Sequence, residues 1–475
     1  MKANNRGKIY SLFALFLLTI LFLGNLAIND HVKKTTTASS KSANDEVYKT
    51  LLTVELGDVE ARDYNRMGSI RAFLEFSPNG DSLIAGTENG EIIAINTGGS
   101  AVIWREKIGI GKITALTFSK DGKFLYVGES SPEGNIFCLD AKTGQKIWQR
   151  SSTTDLGIKI RAKSLPSIVK IITRENRVYA LGLRYERLAN GELAYLSKLY
   201  ALDVQGAEVW QFPSEGCMDA WVSWFNVDEN NSRLVFGTAN YSQNVLYRYD
   251  KNLYGLDAAN GKVAWGNDIA PILDAKRTVM RGSPNISADG NTIAAITSDG
   301  RGFVYDKAGQ LLWQRTISEP KEISNGIYLN AVGRDAYIID DYVIFATLNT
   351  YNSANWQLPA PVEHPSSNNI VVFDRNGNFK SHWQAGGSIE QMDFSYPYAA
   401  AAVGRNTKTK DPTIHGLYIY DLVEGKITGR IVTEGPAIAA AVARQGELAA
   451  VVEVPLKLDD GRIIGRYKLS FGQKI

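Results

Sequence analysis

One short phrase recurs along most of this 475-residue chain. It is an apolar strand, an Asp, a turn containing Gly, and a Trp seven to nine residues after the Asp. It reads "AINTGGSAVIW" to Trp104, "LDAKTGQKIW" to Trp148, "LDVQGAEVW" to Trp210, "LDAANGKVAW" to Trp265, "YDKAGQLLW" to Trp313 and "FDRNGNFKSHW" to Trp383. A seventh copy, "YDLVEGKITG", carries Gly429 in the Trp position. Copies follow one another at a period of roughly 50 residues, the spacing of propeller blades or solenoid units. The second copy shows the whole unit. "ITALTFS", "FLYVGES", "IFCLD" and "QKIWQR" are four short strands, joined by "KDGK", "SPEGN" and "AKTG". Four antiparallel strands of this length make one blade.

The predicted fold is therefore all-β, a propeller of four-stranded antiparallel blades. After the seventh copy, "AIAAAVARQGELAAVVEVPLKLDDGRIIGRYKLSF" holds three strands without a fourth; before the first, residues 47–58 hold one strand without a blade. Joined, they give an eighth blade, and closure removes exposed sheet edges. Seven blades is the alternative. The Asp of each turn is placed to accept amide hydrogen bonds, and the Gly to take a positive φ. Trp104, Trp148, Trp210, Trp265, Trp313 and Trp383 are expected to be structural, docking each blade on its neighbour.

Upstream, a basic flank (residues 1–8, with Lys2, Arg6 and Lys8) precedes an uncharged apolar stretch from Ile9 to Ile28. Twenty helical residues span about 30 Å, a bilayer core. Residues 9–28 read as a transmembrane anchor, with a cleaved signal peptide as the alternative; no Cys lies nearby for lipidation. The flanking cations put the N-terminus inside and the rest on the extracytoplasmic side of the cell membrane. Residues 29–46, "NDHVKKTTTASSKSANDE", are a polar flexible linker, and 47–475 are the propeller. A net charge of +2 leaves no basic field for nucleic acid. The four histidines have no metal-ligand spacing, and no nucleophile elbow or phosphate loop occurs. Cys138 and Cys217 fall in different repeats, so a bridge between them is not expected.

The repeat resembles that of the quinoprotein-like (PQQ-type) β-propeller family, and the first two copies also resemble WD-type blades without the Gly-His and Trp-Asp signatures. The nearest analogue is the propeller subunit of the outer-membrane protein assembly machinery. The resemblance implies a fold and, by analogy, a scaffold. Its enzymatic branch, the quinone-dependent dehydrogenases, implies a calcium cage, a catalytic Asp and adjacent cysteines, none of which can be assigned here. No catalytic, cofactor or metal residue is assigned. The expectation is a non-catalytic, monomeric scaffold or assembly factor that binds an unidentified envelope protein. A ligand- or glycan-binding receptor is the alternative, and a quinone-dependent enzyme the second.

Insertion placement points to the working face. Turns one and three of each repeat are short, whereas extra length falls in turn two or between blades: residues 184–197, 240–252, 349–369 and 405–415. These lie on one side of a disc, where binding usually resides. Tyr185, Tyr241, Tyr351, Trp356 and His364 are the candidate binding-face residues, and Trp221 and Trp224 fall in an innermost strand.

Overall fold

The computed structural model describes residues 48–64, 71–157, 164–187, 193–238, 240–241, 251–270, 277–324, 327–352 and 362–475. The segments 1–8, 9–28 and 29–46 lie outside them. No helix among the described residues is long and apolar enough to cross a membrane.

The repeats are antiparallel sheets of four strands, except that the sixth adds a short fifth strand, Lys321–Ser324. The first runs Phe73–Phe76, Ser82–Gly86, Glu91–Asn96 and Ala101–Lys107, and the second Lys112–Phe118, Phe124–Ser130, Asn135–Asp140 and Lys146–Ser151. The third to seventh begin at the inner strands Ser167–Arg174, Val222–Val227, Asn285–Ile286, Ile327–Ile339 and Ile389–Ser395. A further sheet joins the chain's two ends. Ala437–Ala443, Leu448–Glu453 and Lys468–Lys474 are completed by Tyr48–Glu55, which pairs antiparallel with Lys468–Lys474. Second strands such as Ser82–Gly86 and Phe124–Ser130 are buried over most of their length, while the outermost strand Ala101–Lys107 is exposed at nearly every position.

Apolar side chains fill the gaps between successive sheets. Ile84, Ile92 and Leu125 join the first sheet to the second, and Ile168 and Tyr126 the second to the third. The series continues through Phe225, Ile293, Phe345 and Ile389. It then returns: the seventh sheet packs on Ala440 and Val451 of the terminal sheet, which packs on Leu74 and Leu83 of the first. The alanine runs "AAAAV" and "AIAAAVA" let the last sheets pack closely. This is a β-propeller.

The recurring phrase explains itself in the turns. Asp140 Oδ1 accepts from the amides of Lys142 and Thr143, and Asp203, Asp306 and Asp374 each accept two turn amides in the same way. The Trp of one repeat lies over the turn of the next. The Trp210 ring covers Gly261, where φ is +72° and a Cβ would stand 2.7 Å from the ring. Its indole N–H donates to Ala258 O at 2.9 Å. Trp104, Trp148, Trp265 and Trp313 cover Gly144, Gly206, Gly309 and Gly377, and donate to the carbonyls of Ala141, Val204, Lys307 and Arg375. Trp383 instead packs on Tyr418 and Tyr420, with ring centroids 5.1 and 6.3 Å away. The position held by Gly429 faces a sheet whose third strand ends at Lys474 and whose fourth begins at Tyr48. No turn joins those two strands, so there is none for a Trp to cover. Cys138 and Cys217 are buried free thiols.

Candidate functional site

Inner strands start, and second strands end, on the same face of a four-stranded blade. On that face the third repeat extends as a regular hairpin rather than a loop. Arg177–Arg187 and Leu193–Leu202 stay in register out to Arg187↔Leu193. Strands in the first sheet have four to seven residues. At about 3.3 Å per residue the extra rungs carry this hairpin well past the disc. The sixth repeat does the same through Ile327–Ile339 and Tyr342–Asn352, paired as far as Leu329↔Asn352. The seventh insertion is held differently: Arg405 donates to Asp63 O at 2.9 Å, Tyr64 Oη donates to Lys410 O at 2.8 Å, and Lys410 pairs with Asp459 at 2.6 Å. Arg62–Asp63 runs parallel to Leu456–Lys457. The segment after the first strand is thus strapped to the C-terminal hairpin and the seventh insertion.

Between these elements lies a cavity of about 680 Å³, open to solvent and lined from the third to seventh sheets, the first, and the terminal one. Its wall mixes apolar groups, among them Phe73, Trp221, Trp224 and Met392, with Arg62, Arg71, Arg281, Arg334 and Arg405. Asp335 and Glu390 are its carboxylates. Asp335 is buried at 5% exposure, with Arg334 Nε 3.2 Å from its Oδ2. Burial pushes its carboxyl up, and Arg334, Lys170 and Arg281 oppose that shift. Lys170 Nζ sits 3.2 Å from the Trp224 ring centroid, and burial pulls its ammonium well below the ordinary lysine value against the pull of Asp335. Deeper along the inner strands, Glu75 accepts from Phe118 N at 2.9 Å and Thr117 Oγ1 at 3.0 Å; burial pushes its carboxyl up to about 8. Asp393 accepts from Val442 N at 2.8 Å and is pushed up to about 6, again by burial. These acids tie one inner strand to the next. Among the described residues no group of three or more His, Cys, Asp or Glu side chains could hold a metal ion.

The sequence-predicted residues fall in different places. Tyr185 is on the extended hairpin, 37% exposed, with its ring 6.0 Å from that of Tyr195. Tyr195 stacks on Trp221 at 5.7 Å and 15°, and Trp221 lines the cavity. An aromatic run therefore leads from the hairpin into the hollow. Trp224, on the inner strand Val222–Val227, lines the cavity too. Tyr241 and Tyr351 are strand residues paired with Arg277 and Asn330, and Trp356 lies outside the described residues. His364 is not at the binding surface: it is 3% exposed. Its Nδ1 accepts from Ser366 N at 3.1 Å, which leaves Nε2–H to donate to Glu319 O at 2.7 Å. Burial pulls its imidazolium pKa down, so it serves as a neutral internal staple. The cavity arginines were missed because each comes from a different repeat. Their shared signal is position: Arg71, Arg281 and Arg334 stand at or just before an inner strand, and Arg405 just after a second strand.

Cyclic packing of four-stranded sheets and the Asp-Gly-Trp docking turn define a PQQ-repeat β-propeller. The profile of the family described as outer membrane protein assembly factor BamB matches residues 54–150 and 186–390, and the chain belongs to that family. Among solved structures it is similar to BamB from Moraxella catarrhalis, at 14% identity and a TM-score of 0.51, covering 90% of this chain and 99% of that one. It is also similar to a europium-containing methanol dehydrogenase, at 11% identity and a TM-score of 0.57, covering 90% and 94%. A search of curated protein sequences gives no match.

Proposed function

We propose that this protein is a non-catalytic scaffold of envelope protein assembly: an eight-bladed propeller held outside the cytoplasmic membrane by residues 9–28 and a linker over 29–46. In this reading it acts as a monomer and binds a protein partner through the face that carries the extended hairpins. The six docking tryptophans brace the disc so that this face keeps its shape. Family membership supports the assembly role. The observation that carries the choice of face is the convergence there of the hairpin Arg177–Arg187/Leu193–Leu202, the strap at Arg62–Asp63 and the axial cavity. Exposed aromatics on rigid strands make good anchors for a partner, because little ordering entropy is lost on binding.

A photoreactive amino acid placed at Tyr185, and separately at Lys142 in a short turn of the opposite face, tests this in intact cells. The expected result is a discrete adduct with one envelope protein from position 185 and none from position 142. An adduct from position 142 alone would place the working surface on the other side of the disc.

A further inference from the structure

The axial cavity brings guanidinium groups from several repeats to one wall. Five arginines face two carboxylates, and both carboxylates are occupied. Asp335 is paired with Arg334, and Glu390 accepts from Ser388 Oγ. Arg334 is itself fixed, donating its terminal nitrogens to the carbonyls of Ile389 and Glu390. Arg405 is held by Asp63 O, and Arg62 by Glu60 at 3.2 Å.

Arg71 is different. It is exposed at the cavity wall, and its guanidinium makes no hydrogen bond among the described residues. Its backbone is anchored at both ends: its N–H donates to Glu88 at 3.1 Å, and its carbonyl accepts from Tyr467 Oη at 3.0 Å. Glu88 is the carboxylate that attracts it, but Lys112 already holds that group at 2.5 Å. A fork of donors without a hydrogen-bonded acceptor among the described residues is thus presented on a fixed backbone. Two more wall donors, Arg62 Nε and Trp224 Nε1, also have no acceptor among the described residues. The same wall also carries apolar side chains, among them Phe73, Trp221, Leu348, Met392 and Ile438. The volume falls within the roughly 300–1,000 Å³ of small-ligand pockets.

We propose that the axial cavity binds a carboxylate carried on an apolar body, with the Arg71 guanidinium as the group that takes the carboxylate. A planar fork matches a carboxylate bidentately. Five guanidinium groups on one wall disfavour a cationic ligand, and a neutral one would leave the Arg71 donors unmet. The apolar side of the cavity gains only from a ligand with a hydrophobic part. The carboxylate can belong to a free organic acid or to an acidic side chain of a protein; the chemistry is the same. The proposal does not depend on the scaffold reading.

Titration calorimetry on the full chain at constant ionic strength tests it. The probes are 4-phenylbutyrate, an acidic leucine-rich pentapeptide with blocked ends, and inorganic phosphate. At least one of the first two is expected to bind saturably at one site, and phosphate is not. Binding of the peptide alone assigns the carboxylate to a protein, and binding of the free acid assigns it to a small molecule. Arg71→Gln should weaken binding at least tenfold with an unchanged circular dichroism spectrum. Arg71→Lys, which keeps the charge and loses the fork, should fall between. Arg105→Gln, on an outer strand, should bind as the parent does. Binding by neither probe, equal binding of phosphate, or full binding by Arg71→Gln would overturn the proposal.

Discussion

Replacing Trp210 tests the reason why Asp, Gly and Trp recur together. The side chain is 8% exposed. Its indole N–H meets Ala258 O at 2.9 Å, and its ring lies 5.9 Å from that of Tyr179. Truncating a buried Trp to Ala costs about 3–5 kcal/mol. About 1 kcal/mol of that is the hydrogen bond, and another ~0.5–1.5 kcal/mol the aromatic pair. We expect about 4 kcal/mol for Trp210→Ala and about 2 kcal/mol for the half-buried Trp265→Ala. Trp210→Phe should lose only ~1–2 kcal/mol, because Tyr179 Oη still donates to Ala258 O at 3.1 Å. At ~2.1 cal/mol/K per residue over roughly 430 residues, 4 kcal/mol lowers Tm by about 4 °C in a thermal melt of the full chain. From the opposite side, Gly261→Ala drives a Cβ to 2.7 Å from the ring at φ +72°, whereas Gly216→Ala at φ +63° meets nothing within 4 Å. The first should destabilise by several kcal/mol and the second by ~1 kcal/mol of backbone strain alone. If Trp210→Ala melts with the parent, or the two alanine variants lose equally, the docking argument fails.

Other measurements follow from the same geometry. Glu75 is raised to about 8 in the folded state by burial, so the folded protein holds a proton that the unfolded chain loses above about 4.5. That favours folding at low pH and is lost as pH rises through about 8. Glu75→Gln should therefore melt above the parent at pH 8, with the gap closing towards pH 4.5; an unchanged gap would exclude Glu75 as the cause. His364 has a lowered folded pKa, so its contribution is present above about 6.5 and fades on acidification below that value. His364→Gln should flatten the acid limb of the stability curve. Replacing residues 353–361 by a Gly-Asn turn should leave Tm nearly unchanged, since closure entropy varies slowly with length, whereas extending the deletion through His364 should lower it. Removing residues 1–58 strips the partner from Lys468–Lys474 and should give aggregates on size exclusion, while removing 1–40 should not. Sequencing the mature N-terminus decides whether residues 9–28 remain: a start between about residues 24 and 35 means cleavage.

The blade was legible because its signals are local. Asp140, Gly144 and Trp148 lie within nine residues, and each does a job set by its own turn or the next one. Pairing of residues 47–58 with the last three strands was legible for another reason, since each end of the chain holds an incomplete set. The extra length of the third and sixth repeats was legible, but not its form. Residues 184–187 and 349–352 read as parts of inserted loops, and only cross-strand pairing makes them the ends of the strands Arg177–Arg187 and Tyr342–Asn352. His364 looked like a surface group in a polar insertion; its burial comes from Glu319, 45 positions away in the chain. The cavity was the least legible. Arg71, Arg281 and Arg334 meet only once the ring brings distant inner strands to a common axis, and no window of sequence holds two of them together with Trp221.

The first described strand pairs with the last: Tyr48 lies opposite Lys474, and its hydroxyl donates to Gly446 O. A chain emerging from its N-terminus therefore carries Tyr48–Glu55 without this partner until Lys468–Lys474 has been made. Closing this seam bridges almost the whole chain, which makes it a late and slow event in folding. Truncated products never reach it and stay open to pairing with other chains. The seam thus acts as a check on assembly: the sheet can be sealed only once Lys468–Lys474 has been made.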